Sequence, residues 1–348
     1  MSEALRPRNL LPSEFSFSHE FSLYLHDCMV HFIVEGERRR LFLTKINFAS
    51  PEQAKELREN PDLFILDWLE EKGYSQELGE VVLKTMFPAL LSDFCHFVFE
   101  ALSCSRKAKL TVAYALLRKP LRENLHYLEW MLADPEGLLN TFYYKPSKEL
   151  SFNAIGCSPE KMTAVIQKAI DRTVHRKTYT ASFLYDMRFN KNAHFGYDAM
   201  CNRAMHLVTT KPGLTTEQQN FNFVFSGEAE RHAQWEHIYN TLPYLLFYAL
   251  DICEVLMALL TSEVAAEIGK AHYKRAIGFI LWAIQSSRFT NQKHVELPLP
   301  ELPLLDCPKC GRKIQTDERQ LAELYYAQEI KCPHCVKKVE MPRIVKAS

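Results

Sequence analysis

LPYLLFYALDICEVLMALLT, Leu242 to Thr261, is an almost unbroken apolar run of twenty residues. It is long enough to cross a bilayer, which takes about 20 apolar residues. Asp251 and Glu254 lie near its middle. Either acid would be costly at a bilayer centre, about 2.5–3.5 kcal/mol for aspartate on insertion scales. The stretch is therefore expected to be a helix buried inside protein, with no membrane involved. A helix from about Glu228 to Ile268 surrounds it, and another from His272 to Ser287 closes the body. His232 and Glu236 are one turn apart, but His237 is off their face and the segment is not H-E-x-x-H, so no metal is expected there.

Upstream, the same helical period recurs. Ser158-Pro159-Glu160 has an N-cap residue followed by proline at the first helical position, which starts a helix to Asp171. A basic turn with Arg172, His175, Arg176 and Lys177 leads to a helix from about Ala181, which Lys211-Pro212-Gly213 stops. NFNFVF, Asn220 to Phe225, alternates polar and aromatic residues and reads as a strand or an extended lid. LTVAYALLRKPLRENLHYLEWMLA, Leu110 to Ala133, is a long helical pattern broken by Pro120, where a kink or a fresh start is expected. Arg118, Arg122 and His126 fall four residues apart and line one face. They are either solvated or paired with Glu123 and Glu129, or else turned toward phosphate. Ser75 to Ala101 reads as a core helix. Ser50-Pro51-Glu52 starts another helix, which Asn60-Pro61 ends. Phe15 to Val34 fits one helix or two strands, and residues 1–15 an arm.

The 348 residues are 47% hydrophobic, enough for one large core and a small satellite. Only 11 are glycine, which favours an all-α class. Lys and Arg equal Asp and Glu at 42 each, so no global field attracts nucleic acid and local patches must do so. The start carries no export signal. Cys28, Cys95, Cys104, Cys157, Cys201 and Cys253 are scattered in apolar surroundings, which fits buried thiols in a reducing, cytoplasmic setting.

Cys307-Pro-Lys-Cys310-Gly and Cys332-Pro-His-Cys335 are two C-x-x-C knuckles, with 21 residues between the inner cysteines. Four thiolates at this spacing suit a tetrahedral structural Zn²⁺ with no open position for catalysis. His334 is expected outside the ligand shell. From Cys307 to Lys338 there are seven Lys/Arg against four Asp/Glu, with Tyr325 and Tyr326 nearby, which suits contact with RNA, DNA or a protein partner. Leu297-Pro-Leu-Pro-Glu-Leu-Pro303 before it is an extended spacer. The expected division is 1–80, helical or mixed; 81–290, the helical body; 291–306, a Pro/Leu linker; and 307–348, the zinc ribbon.

Tyr185-Asp-Met-Arg188-Phe-Asn190-Lys-Asn192-Ala-His194 gathers a permanent cation, two amides and an imidazole. Arg188 suits a phosphate gripped by two hydrogen bonds, and His194 suits proton transfer to or from ribose and leaving oxygens. Together they would cut RNA by internal transesterification without a metal. On a regular helix the pair stands about 120° apart, so the helix must break, at Lys191-Asn192, or two subunits must meet. Asn190 and His194 would share a face, with Asp198 one turn on to fix the imidazole tautomer.

This stretch, with Arg118-Lys-Pro-Leu-Arg-Glu-Asn-Leu-His-Tyr-Leu before it, resembles the HEPN superfamily over roughly residues 80–265. Its ribonucleases carry R-x(4–6)-H at a helix junction of a dimeric bundle. The resemblance implies an all-α HEPN-like bundle acting as a homodimeric, metal-independent endoribonuclease, in toxin or anti-phage defence. Arg188 would neutralise phosphate, His194 act as acid and base, and Asn190 support them. Arg118, Arg122, His126, Lys191 and Asn192 would hold the RNA. Phe189 stands where the family commonly has Asn, Asp or His. The alternative is a non-catalytic nucleic-acid-binding or adaptor protein that docks through bundle and ribbon. A third expectation is an enzyme using the Arg118/Arg122/His126 face on a nucleotide.

Overall fold

The computed structural model describes residues 9–60, 62–155, 158–193, 195–210, 214–261, 268–289, 299 and 305–341. It is mostly helical. Helix α1 is Ser16–Arg38, a single helix where two strands were the other expectation. Helices α2, Pro51–Glu59, and α3, Ile65–Glu71, lead into α4, Ser75–Arg106. Helix α5 is Leu110–Lys119 and α6 Leu125–Ala133, followed by α7, Pro135–Tyr144, α8, Ser147–Leu150, and α9, Phe152–Ile155. Helices α10, Pro159–Ile170, α11, Ala181–Arg188, and α12, Tyr197–Met205, precede the two long helices α13, Glu228–Thr261, and α14, Ile268–Phe289.

Helix α13 is the axis of the bundle. Every residue from Thr241 to Glu254 is buried, so the run is apolar on all sides because it has protein on all sides. It packs against α1, α4, α5, α6 and α14. Both α4 and α13 are long and apolar enough to cross a membrane, but 67% of the most apolar window of α13 is enclosed by the rest of the chain. The two acids that are costly in lipid have protein partners. Asp251 accepts from Tyr179 Oη at 2.8 Å and pairs with His175 Nδ1 at 2.8 Å. Glu254 accepts from Arg275 at 2.8 and 2.9 Å and pairs with His272 Nε2 at 3.0 Å.

Several local expectations are corrected. Pro120 neither stops the helix nor starts a new one. Residues Pro120–Asn124 form a π-helical turn in which Leu125 N–H reaches back to Pro120 O, and α5 runs through it into α6. Proline removes one N–H from the ladder, and the wider turn absorbs the missing bond. The helix from Ala181 ends at Arg188 rather than at residue 211, and α12 begins at Tyr197. Gly196 makes this return path feasible. A Cβ there would lie 2.9 Å from Asp186 O and 3.0 Å from both Asn190 O and Ala193 O. Residues 220–225 form turns, not a strand. Ser158 caps α10 as expected, accepting from Lys161 N.

At the C-terminal end, strand β1, Leu305–Asp306, pairs antiparallel with β2, Lys313–Ile314, and β3, Glu329–Lys331, with β4, Lys338–Glu340. Helix α15, Glu318–Ala327, lies between the two hairpins behind a capping box of Asp317 and Gln320. It packs on α14, and Tyr325 packs edge-on against Phe17, Phe21 and Tyr24 of α1. Lys274 lies 4.9 Å from the Tyr24 ring and 5.0 Å from that of Tyr325. Of the expected linker, 291–298 and 300–304 lie outside the described residues.

Candidate functional site

Two near-identical knuckles build the cysteine cluster. In the first, Gly311 N–H donates to Cys307 O at 2.8 Å; in the second, Val336 N–H donates to Cys332 O at 2.9 Å. Both turns need a left-handed residue, Gly311 at φ 65° and Val336 at φ 60°. Glycine adopts this conformation freely, whereas the β-branched Val336 is strained in it. The four sulfurs all lie within 4.8 Å of one another. Cys307 Sγ is 3.5 Å from Cys335 Sγ, and Cys310 Sγ 3.8 Å from Cys332 Sγ. A tetrahedral ion with metal–sulfur bonds of about 2.3 Å sets its sulfurs about 3.8 Å apart. The donor set and its spacing thus fit a metal ion. Backbone N–H groups of Cys310 and Lys309 draw the Cys307 thiol down to about 6, toward the thiolate a metal needs. The His334 N–H faces Cys332 Sγ at 3.4 Å, while its side chain is outside the four-sulfur group.

The other candidate centre lies where α11 breaks. Arg188 is 1% exposed. Its Nε donates to Leu121 O at 2.7 Å, its Nη1 to Glu129 Oε1 at 2.5 Å, and its guanidinium stacks 4.6 Å from the Phe189 ring. Nη2 has no hydrogen-bond partner. Burial alone would raise the Glu129 carboxyl, but the Arg188 and His126 interactions together outweigh it and hold the group below its ordinary value. His126, which was expected on a solvent or phosphate face, is buried, with Nδ1 3.4 Å from Glu129 Oε2. Arg122 pairs with buried Asp198 and stacks on Phe152 at 4.8 Å. Of the basic stripe, His126 is enclosed while Arg118 and Arg122 are half-buried, so it is only partly solvated. Its partners are Asp198 and Glu129, and Glu123 plays no part in these pairs.

Arg118, Arg122 and Arg188 converge with Asp198 on one small cavity. It has room for about 10 Å³ of solvent, close to the ~10–15 Å³ that holds one water. The Nε of Arg118 is also buried there without a hydrogen-bond partner. The chain matches no family model, no curated protein and no solved structure. The site's chemistry therefore rests on its own geometry.

The expected catalytic set is divided. The helix ends at Arg188, three residues ahead of the break expected at Lys191-Asn192, and His194 lies outside the described residues. Asn190 stands in the turn instead of on a helix face, donating to Asp186 Oδ1 at 2.7 Å and accepting from Asn192 N–H at 3.0 Å. Lys191 and Asn192 are exposed at the tip of that turn. Asp198 is engaged by Arg122 and by Asn202 Nδ2 at 3.0 Å, so it is committed to partners other than an imidazole.

Sequence reading missed a second polar centre. His175 and His272 face each other with ring centroids 5.7 Å apart, backed by Asp251 and Glu254. The only signal for it was the pair of acids inside the apolar run. Their partners lie on other helices and no local pattern names them.

Proposed function

We propose that this chain is a nucleic-acid-binding protein. A structural Zn²⁺ on Cys307, Cys310, Cys332 and Cys335 shapes the knuckles, and the knuckle surface docks on an RNA backbone. The observation that carries this is the set of exposed cations around the cysteines. Lys309, Arg312, Lys313, Lys331 and Lys337 are all exposed and have no carboxylate partner among the described residues, whereas Lys338 is tied to Glu329 and Arg319 to Glu323. Unpaired surface cations neutralise phosphates and release counterions, giving affinity without a global positive charge. The helical body, HEPN-like in this proposal, carries the ribbon through α1, α14 and α15.

The test is RNA binding by fluorescence anisotropy as a function of salt, with metal content measured on the same sample. Binding should fall steeply with salt. Lys309→Glu with Arg312→Glu should weaken it by at least about tenfold while metal stays bound, since each single-strand phosphate contact contributes about 0.7 to the salt slope. Unchanged affinity in a metal-loaded double variant would refute the proposal.

Endoribonuclease action is the second reading, favoured by the end of the helix at Arg188 and by three guanidiniums meeting at one cavity. Phosphate would have to displace the Arg122–Asp198 pair to reach Arg188. Labelled RNA incubated without added divalent ions, with zinc content measured on the same sample, separates the two functions. Cleavage abolished by His194→Ala supports the enzyme. Intact RNA with retained binding leaves the binding protein alone.

A further inference from the structure

We propose that the cleft between α12, the start of α13 and loop 214–226 is a nucleotide-binding site. It offers about 320 Å³ of room, within the ~300–1,000 Å³ range of small-molecule sites. Three kinds of group meet in it, and each asks for a different part of one ligand.

The first is Arg203 on α12. Its guanidinium makes no hydrogen bond or ion pair with any described residue, and its Nε is shut off from solvent. A buried donor without an acceptor is costly. Glu217 and Glu230 line the same cleft, yet neither pairs with it. The rest of the guanidinium lines the cleft without an acceptor among the described residues, and an anion entering from outside would supply one. The second is a pair of rings at the mouth. Phe221 is 46% and Phe225 67% exposed, and their rings stand 6.1 Å apart at 30°. Two large apolar rings held at an open rim suit the flat face of a base. The third is the pair of carboxylates, Glu217 and Glu230. Acceptors beside a phosphate site suit ribose hydroxyls, which donate. A nucleoside monophosphate satisfies all three groups. Inorganic phosphate leaves the rings and the acids unused.

The loop that shapes the cleft is held by its own hydrogen bonds. Thr216 Oγ1 accepts from Thr209 N–H at 2.8 Å and donates to Asn222 Oδ1 at 3.0 Å, while Asn222 Nδ2 donates to His206 O at 2.8 Å. Arg231 and Gln234 of α13 pin Ser226 at 2.9 and 3.2 Å. These bonds pre-form the cleft, so little ordering cost falls on binding. The cleft shares no residue with the cysteine knuckles or with the Arg118–Arg122–Arg188 cavity, and it stands whether or not the ribbon docks on RNA.

Titration calorimetry of the full chain with AMP is the test. AMP should bind, and inorganic phosphate and adenosine should each bind at least about tenfold more weakly, since each lacks one anchoring part. Arg203→Gln should weaken AMP by at least about tenfold, and Phe221→Ser with Phe225→Ser by a similar factor, with unchanged thermal midpoints showing that the fold is intact. The Lys309→Glu, Arg312→Glu variant should bind AMP like the wild type, which separates this site from the ribbon. A 5′-phosphorylated RNA hexamer that AMP displaces makes the ligand an RNA end; AMP binding without such displacement makes it a free nucleotide. No AMP binding at about 1 mM, equal affinity for inorganic phosphate, or an Arg203→Gln variant that binds as wild type would overturn the site.

Discussion

Arg188 and Glu129 are both fully enclosed and pair with one another, with His126 Nδ1 3.4 Å from the second Glu129 oxygen. A buried ion pair is costly to assemble and costlier to halve, because removing one member leaves an uncompensated charge, about 3–5 kcal/mol. Glu129→Ala should therefore lower the unfolding free energy by about 3–5 kcal/mol in urea titration. Replacing both with methionine should cost less than that single change. A Glu129→Ala protein within about 1 kcal/mol of wild type would mean that Arg188 finds another partner or leaves the core. Arg188 was legible as a chemically important cation from its neighbours in sequence. Its partner was not, since Glu129 stands 59 residues upstream and pointed, by spacing, to a solvated stripe. The π turn at Pro120 changes the rotation between Arg118 and His126, and this swings His126 inward.

Helix α15 is carried on the body by ring contacts that converge over Gly278 of α14. A Cβ at Gly278 would meet Phe21 Cε2 at 2.6 Å and Tyr325 Cε2 at 2.8 Å. Overpacking of this kind costs about 1–3 kcal/mol, and more when the added group is branched. Gly278→Val should lower stability by at least that much and open the ribbon to limited proteolysis near α15. A variant with wild-type stability and protease resistance would show that the ribbon helix docks elsewhere. Helix starts at Pro51 and Pro159 were plain from their capping patterns and proline positions, whereas the helix that begins at Pro135 was not foreseen. Gly278 gave no such sign, because its role depends on two rings from distant parts of the chain.

Across the whole molecule, α13 gathers the polar centre that ties three helical regions together. Burial tends to lower His175, but the charge and hydrogen bond of Asp251 together outweigh it, so the imidazole sits above its ordinary 6.5; His175, with Arg275 and His272 nearby, in turn holds Asp251 below its ordinary 3.8 despite burial. The sign follows from these directions. The raised histidine contributes stability that is fully present below about pH 6.5 and is lost as pH rises through its folded value. The depressed carboxylate contributes stability present above about pH 3.8 and lost as pH falls through its own lowered value. Both describe one interaction. Between these limits, His175→Gln should show its largest loss relative to wild type, and the gap should narrow toward pH 9 in thermal melts. A gap that widens with pH would overturn the pairing.

Local chemistry by itself determined the helical class, most helix starts, the core character of Leu242–Thr261 and the four-cysteine cluster. Period, caps and C-x-x-C spacing act within a few residues and carry their physical cause with them. Only the tertiary structure decided where the charges point: Arg188 onto Glu129, Arg122 onto Asp198, Asp251 onto His175, and Arg203 into an open cleft. Those outcomes depend on which helices cross, at separations of up to 76 residues, and on how a one-residue slip at Pro120 rotates a face. Burial and pairing energies are set at those crossings, where linear spacing carries no information.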